Sequence, residues 1–244
     1  CIYYWNAYVC DRSKRPNDKR LYFKMKKLFY IFLTLLIFGC KPETSTTPET
    51  NYLEYSKNVL DYRITPKDSL DKSGLMFSDQ GAWFAFGLPK SDRSLFGFSG
   101  PFLMTQQNGV WSNPMLSGLL ITTDHHNYVL FNFKEDLVEE SSSSCHLHQI
   151  FKNEKLKLEQ SLVFLSGNTA LQKVVITNIS DNTILVSTNI QGRISNIGIE
   201  LSNENNEIKL VSKNSEAVGY IKTLNKIERI DILDENRFYG IQLE

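Results

Sequence analysis

The chain has 244 residues, and its 27 Lys and Arg balance its 27 Asp and Glu, so the formal net charge is zero. A nucleic-acid-binding protein usually presents a basic face, and this balance argues against nucleic acid as a partner. The apolar fraction of 41% is typical of a chain that folds around a core. The four cysteines, at positions 1, 10, 40 and 145, are too few and too scattered for a disulfide scaffold.

Residues 25–39 have the composition of a secretory signal peptide. A basic pair, Lys26 and Lys27, precedes an eleven-residue apolar run, Leu28–Phe38, which is interrupted only by Thr34. A membrane-spanning helix needs about 20 residues, so the run predicts a signal peptide rather than an anchor helix. The alternative is a short buried helix.

The run ends in Gly39-Cys40, which resembles the lipobox of bacterial lipoproteins. That resemblance implies cleavage before Cys40, lipidation of Cys40 and a place in the bacterial cell envelope. Lys41 follows where some inner-membrane lipoproteins carry Asp, which favours the outer membrane. The polar, Thr-rich stretch that follows is typical of a flexible tether.

These features divide the chain into four parts. If Met25 is the true start, residues 1–24 are upstream sequence translated in error. Residues 25–39 are then the signal peptide, residues 40–51 the lipidated cysteine and its tether, and residues 52–244 a folded domain. Cys145 would be the other thiol of the mature chain, and a lone thiol is most often a small buried residue.

The body of the chain predicts β-structure. One helix-like piece spans Asn51–Tyr62, and Ser141–Ser144 has the composition of a loop tip. Residues 179–182 form a turn cluster between two strands rich in β-branched residues. The predicted strands are Leu158–Leu165, Thr169–Asn178, Thr183–Ile190, Glu207–Ser212, Val218–Leu224 and Arg229–Leu233. Strands at this spacing, joined by short turns, predict an antiparallel β-sandwich.

Residues 74–121 are dense in glycine and aromatic side chains. The glycines permit tight turns and the aromatics supply large buried areas, so an aromatic core is one interpretation. The alternative is a platform of flat rings on which sugars stack.

One part of this segment resembles a known family. The residues concerned are Phe77-Ser78-Asp79-Gln80-Gly81-Ala82-Trp83, then Leu88-Pro89, then Gly97-Phe98-Ser99-Gly100-Pro101. They resemble the start of bacterial α-glucosidase-like enzymes of glycoside hydrolase family 63 and its mannosylglycerate-hydrolase-like and trehalase-like relatives. The resemblance implies an N-terminal β-sandwich, often called a supersandwich, that precedes an α/α toroid.

The same resemblance implies inverting hydrolysis of α-linked sugars. Inversion uses two carboxyl groups roughly 6.5–9.5 Å apart. In the family both lie on the toroid, so no catalytic residue, metal or cofactor is expected in this chain. The candidates for contact with a carbohydrate or with the catalytic domain are Asp79, Gln80, Trp83, Phe84 and Trp111.

Strand alternation assigns faces near the motif. Trp83 and Ala85 share one face and Phe84 and Phe86 the other. We expect Trp83 to face the core and Phe84 to face the partner domain. Asp79 is expected mainly to stabilise the turn near Gly81.

Two other clusters have weaker patterns. All four histidines lie between His125 and His148, and His146 and His148 would share one strand face. A zinc site with Cys145 and Asp124 is one interpretation and solvated histidines are the other, because the spacing matches no standard ligand pattern. The acidic residues Glu135, Asp136, Glu139 and Glu140 predict a solvated loop, with Ca²⁺ binding as the alternative.

Together these observations predict the non-catalytic N-terminal domain of an exported glycoside hydrolase acting on α-linked oligosaccharides. The alternative is a free-standing surface lipoprotein that binds glycans without hydrolysing them.

Overall fold

The structure is a computed structural model, and the residues that it describes all belong to the compact unit Tyr52–Glu244. They are residues 56–79, 81–90, 96–104, 109–123, 126–129, 131–195, 198–213, 218–233, 235 and 237–244. The predicted signal peptide, the tether, Cys40 and Gln80 lie outside these ranges. Within them, no helix has the length and apolar character needed to span a membrane.

The described unit is built from β-strands. They are β1 (Phe84–Gly87), β2 (Phe96–Gly97), β3 (Ser99–Leu103), β4 (Val110–Trp111), β5 (Gly118–Thr123), β6 (His126–Val129), β7 (Leu137–Ser142), β8 (His146–Lys152), β9 (Leu156–Ser166), β10 (Thr169–Asn178), β11 (Val186–Arg193), β12 (Ile199–Glu204), β13 (Glu207–Ser212), β14 (Val218–Ile221), β15 (Ile227–Leu233) and β16 (Phe238–Leu243). The prediction of a mainly β fold is confirmed.

The strands form antiparallel sheets. The largest has the order β15-β16-β11-β5-β2, with β6 also paired to β5, and a second has the order β10-β9-β8-β7. Two three-stranded sheets have the orders β1-β3-β4 and β12-β13-β14. The two larger sheets pack face to face, because side chains from both enter one apolar cluster; this is the arrangement of a β-sandwich. The buried members of that cluster are Phe96, Leu119, Ile121, Phe131, Phe133, Phe151, Leu156 and Leu158.

A second cluster joins the other end of the six-stranded sheet to the sheet β12-β13-β14. It contains Leu201 of β12, Ile208 of β13 and both Tyr239 and Ile241 of β16. The Tyr239 hydroxyl donates to the carbonyl of Leu116 at 2.8 Å. Burial raises the pKa of the Tyr239 phenol, so the ring stays neutral and acts as a polar anchor inside an apolar cluster.

The local patterns locate several strands correctly. Strands β10 and β13 have the predicted bounds, and in β10 Val174 and Ile176 pack inward while Val175 is exposed. Strand β11 begins at Val186, three residues later than predicted. The Asn178 side-chain amide donates to the carbonyl of Asn182 at 2.7 Å, which extends the turn into the predicted strand.

The predicted helix near Asn51–Tyr62 is wrong over its described part, where residues 56–60 form turns and bends. Asn58 has a φ of 56°, in the left-handed region that interrupts a helix. Its backbone amide donates to the carbonyl of Ser142 at 2.7 Å, and its Oδ1 accepts from the Ser142 amide at 2.9 Å. Long-range pairing with β7 therefore decides the conformation of this segment.

The same contact corrects the loop predicted at Ser141–Ser144. Ser141 and Ser142 end strand β7, and Ser141, Ser142 and Ser143 are all buried. The Ser142 hydroxyl donates to the carbonyl of Leu60 at 2.9 Å. A polar run is buried here because the preceding segment covers it and supplies partners for its hydroxyl groups.

Candidate interface and carbohydrate-contact surface

The family-like motif begins with a tight turn that leads into β1. The main-chain carbonyl of Asp79 accepts from the amide of Ala82 at 3.1 Å, and Gly81 has a φ of 76°. The space around Gly81 is open, so the backbone conformation and not crowding favours glycine here. The Asp79 side chain is exposed, at the entrance to β1. The turn is as predicted, and a direct contact of Asp79 with a ligand or partner stays a prediction.

Trp83 lies at the start of β1 and is held through its backbone. Its amide donates to the carbonyl of Gly167 at 3.2 Å, and its carbonyl accepts from the Met104 amide at 2.8 Å. The prediction that Trp83 enters the core is wrong, because 59% of the residue is exposed. Strand alternation does place it on the same face as Ala85, but the cluster that buries Ala85 ends before Trp83.

Trp83 and Met104 form an exposed apolar patch. Ala85 pairs with Phe102, so the next residues outward on the same face are Trp83 and Met104. Met104 is 40% exposed. Their main-chain hydrogen bond keeps the two side chains on neighbouring strands. We call this pair the Trp83–Met104 patch; it extends a buried cluster, formed by Ile64, Ala85, Phe102 and Trp111, into solvent.

Phe84 faces the opposite way and is partly buried within the domain. Its ring centroid lies 5.4 Å from that of Phe164 and 5.7 Å from that of Phe86. Phe164 belongs to β9, so the four-stranded sheet covers the face that we expected a partner domain to cover. The predicted faces of Trp83 and Phe84 are therefore reversed. Phe84 packs between the sheet β1-β3-β4 and the four-stranded sheet, and Trp83 is exposed to solvent.

Trp111 is a core residue with 1% of its surface exposed. Its ring meets Phe102 edge to face at 5.2 Å, and its indole N–H donates to the carbonyl of Asp71 at 2.6 Å. A ring covered in this way has no free face for a sugar or for another domain, which corrects the prediction for Trp111. Of the five candidates, the structure brings Trp83 and Asp79 to the surface near one turn, leaves Phe84 partly buried and Trp111 buried, and does not describe Gln80.

The histidine pair lies on one face of β8, as the alternation predicts. The rings of His146 and His148 are 6.0 Å apart, and His148 Nδ1 lies 2.8 Å from the Ser161 hydroxyl. Burial lowers the pKa of His146, and the neighbouring His148 and Lys57 lower it further, so the neutral ring is favoured. In the described part of the chain, no group of three His, Cys, Asp or Glu side chains could hold a metal ion. Asp124 and His125 lie outside that part.

Cys145 is exposed, contrary to the expectation of a buried thiol. It lies in the turn before β8, and its Sγ is 3.5 Å from both the Ser143 hydroxyl and His146 Nδ1. The amides of Cys145 and His146 donate to the Ser143 hydroxyl at 3.3 and 3.2 Å. Because Cys145 is a turn residue, it is not subject to the strand alternation that would point its side chain away from His146. The contacts of Cys145 with Ser143 and His146 lie within this turn.

The acidic residues do not form one loop. Glu139 and Glu140 lie on β7, while Asp136 accepts from the Asn132 amide at 2.6 Å within a tight turn. Glu139 pairs with Lys57 at 2.9 Å, and this hydrogen bond lowers the pKa of the Glu139 carboxyl. Burial instead raises the pKa of Glu140, whose Oε2 accepts from the Gln149 side chain at 3.3 Å. The predicted solvated loop is therefore wrong for Glu139 and Glu140.

Comparison with known proteins identifies one family. A family model described as "Glucosidase YgjK, N-terminal" matches residues 67–223, which is more than half of the chain. The match includes the turn at Gly81, the Trp83–Met104 patch and the whole of the four-stranded sheet. No curated protein matches the chain.

Proposed function

Because the chain belongs to the family of glucosidase YgjK N-terminal domains, we propose that it is the non-catalytic N-terminal domain of an exported glycoside hydrolase. The family match over residues 67–223 is the observation that carries this proposal. In this proposal the domain supports a C-terminal catalytic domain that hydrolyses α-linked oligosaccharides with inversion. The finer points of activity, mechanism and substrate class rest on the family resemblance.

The placement of the carboxyl groups supports a non-catalytic role. An inverting enzyme needs a general acid of raised pKa across a cleft from a general base. Burial raises the pKa of the Glu140 carboxyl, which is the direction that a general acid needs. Its side chain is 11% exposed, faces Gln149 and lies 3.9 Å from the Arg63 guanidinium. A carboxyl group covered in this way cannot reach the oxygen of a glycosidic bond.

The Trp83–Met104 patch is our candidate for the contact with the catalytic domain. A tryptophan and a methionine side by side on a surface are enriched where one protein surface covers another. The patch also lies close to the motif turn and the β9–β10 turn, since Trp83 is bonded to Gly167. Packing of a second domain here would bury both side chains and order the motif turn.

The alternative is a glycan-binding module, and the exposed indole of Trp83 favours it. The flat face of an exposed tryptophan can stack on a sugar ring. In this proposal the domain holds a glycan without hydrolysing it. Asp79, exposed beside the turn, would supply hydrogen bonds to hydroxyl groups.

The enzyme proposal is tested by the DNA that follows codon 244 and by activity. An in-frame continuation that encodes a helical domain supports the enzyme, and its product, expressed with this domain, should release glucose from α-glucosides. The present chain alone should release none. Glucose release that is abolished by one Asp or Glu substitution within the described residues would overturn the non-catalytic role.

Trp83→Ala then separates the two proposals. In the enzyme the substitution should weaken association of the two domains; in the glycan-binding module it should abolish retention on a malto-oligosaccharide column. Tyr220→Ala is a matched control, because Tyr220 is an aromatic residue, 49% exposed, on a different sheet, β12-β13-β14. Equal effects of the two substitutions would contradict a specific role for the Trp83–Met104 patch.

Lipidation of Cys40 and a place at the outer membrane belong to the same proposal. Their support is the apolar run that ends in Gly39-Cys40. Cys40→Ala should abolish incorporation of labelled palmitate and leave an unprocessed or soluble form. Continued labelling of the variant in the membrane fraction would contradict the lipobox interpretation.

A further inference from the structure

A row of polar side chains crosses the inner face of the four-stranded sheet. Glu140 of β7 pairs with Gln149 of β8, and Gln149 pairs with Gln160 of β9. Gln149 and Gln160 have no exposed surface. Their neighbours on the same strands, two residues away in each direction, are core residues: Leu147, Phe151, Leu158 and Leu162.

The row separates two apolar clusters. Leu147 and Leu162 pack on one side with Phe77, Leu88 and Phe98. Phe151 and Leu158 pack on the other side with Phe96 and Leu119, among others. Two fully buried glutamines between two apolar clusters are unusual, because a buried amide is costly unless its hydrogen bonds are made.

The amides of this row lack protein partners at three atoms. Gln149 Nε2 donates to Glu140 Oε2, but Gln149 Oε1 has no hydrogen-bond partner in the described structure. Neither Oε1 nor Nε2 of Gln160 has one. The three atoms comprise two acceptors and one donor, so their ligand must both donate and accept hydrogen bonds.

We propose that ordered water occupies this row and is a constant part of the fold. Water donates to the two amide oxygens and accepts from Gln160 Nε2. A cation would satisfy the oxygens and be repelled by the Nε2 hydrogens, while an anion would do the reverse. Globular proteins hold about one buried water per 27 residues, typically at polar groups such as these. We call this set, formed by Glu140, Gln149, Gln160 and the water, the hydrated row.

The row has an open end at Glu140. Its side chain is 11% exposed, and Arg63, 3.9 Å away, is 51% exposed at the surface. Water can therefore exchange with solvent along Glu140 without crossing either apolar cluster. The row would also fix the register of β8 and β9, because a one-residue shift of either strand would turn the glutamine of that strand away from the water.

The experiment is a crystal structure of the chain at a resolution that shows ordered water, combined with NMR of the same chain. We expect a water oxygen within about 3.2 Å of a side-chain atom of Gln160 and of Gln149. We also expect a nuclear Overhauser effect between water and the Gln160 side-chain amide. A direct hydrogen bond between the two glutamine amides without water, an empty gap, or an ion with oxygen ligands at about 2.3–2.6 Å would each overturn the proposal.

Gln160→Met provides a second measurement. It keeps the length of the side chain but removes the amide, so the signal to water should disappear and the free energy of unfolding should fall. Leu162→Met is the matched control, two residues along the same strand and facing the same core, and should change the free energy of unfolding less. If Gln160→Met instead stabilises the chain, the amide is unsatisfied in the native state and the row is dry. The wild-type measurements decide the question even if a variant does not fold.

Discussion

The contrast between Trp83 and Trp111 gives a quantitative test of how the motif segment is packed. Trp111→Ala removes a ring that is 99% covered, together with an indole hydrogen bond to Asp71. Truncation of a buried tryptophan costs about 3–5 kcal/mol of unfolding free energy. Because a domain of this kind has about 5–15 kcal/mol in total, the variant should be markedly less stable yet able to fold.

Trp83→Ala should cost less. With 59% of the residue exposed, about two fifths of its area is covered. A fully buried tryptophan covers about 150–250 Å², so Trp83 covers about 60–100 Å². At about 25 cal/mol per Å² this is about 1.5–2.5 kcal/mol, and an extended-chain reference makes that an upper bound.

The assay is urea unfolding followed by far-ultraviolet circular dichroism, with equal slopes required before midpoints are compared. Trp111→Phe is the control that keeps an aromatic ring and loses the hydrogen bond, and it should fall between the wild type and Trp111→Ala. If Trp83→Ala destabilises the chain as much as Trp111→Ala, Trp83 is buried and the exposed patch does not exist.

Three further predictions follow from single residues. Burial raises the pKa of Glu140 above its ordinary value of 4.5, so its contribution to stability is fully present below pH 4.5 and is lost as pH rises through the raised pKa. Glu140→Gln should flatten this decline in the free energy of unfolding, measured in urea from pH 4 to 7. An unchanged pH profile would contradict the raised pKa. Gly192→Ala should prevent normal folding, because the added Cβ would clash with the main-chain carbonyl oxygen of Leu116. A variant with the circular dichroism and melting temperature of the wild type would show that β11 does not approach Leu116. Cys145 should react with a thiol reagent in the native protein, because it is exposed. Peptide mapping should find the label on the peptide that contains Cys145, and Cys145→Ser should remove that label. Protection of Cys145 until the protein unfolds would show that the thiol is buried.

Features that depend on local periodicity were predictable from the amino-acid sequence. The alternation of Val174, Val175 and Ile176 was enough to find β10 and its inner face, because neighbouring residues of a strand point to opposite sides whatever covers them. The turn cluster after Asn178 and the scarcity of helical periodicity were sufficient for an antiparallel β fold. The motif from Phe77 to Pro101 was also sufficient to identify the family that the comparison then found.

Which face of each strand is covered, and by which residues, became known only from the folded structure. Trp83 and Trp111 have similar surroundings in the sequence, yet one is exposed and the other buried, because the cluster around Phe102 extends over Trp111 and ends before Trp83. Ser142 is buried because residues 58 and 60, more than 80 positions away, supply its partners. Gln149 and Gln160 become neighbours through the pairing of β8 with β9. Each outcome depends on contacts between residues far apart in the chain, and such contacts cannot be predicted from a local pattern of polar and apolar residues.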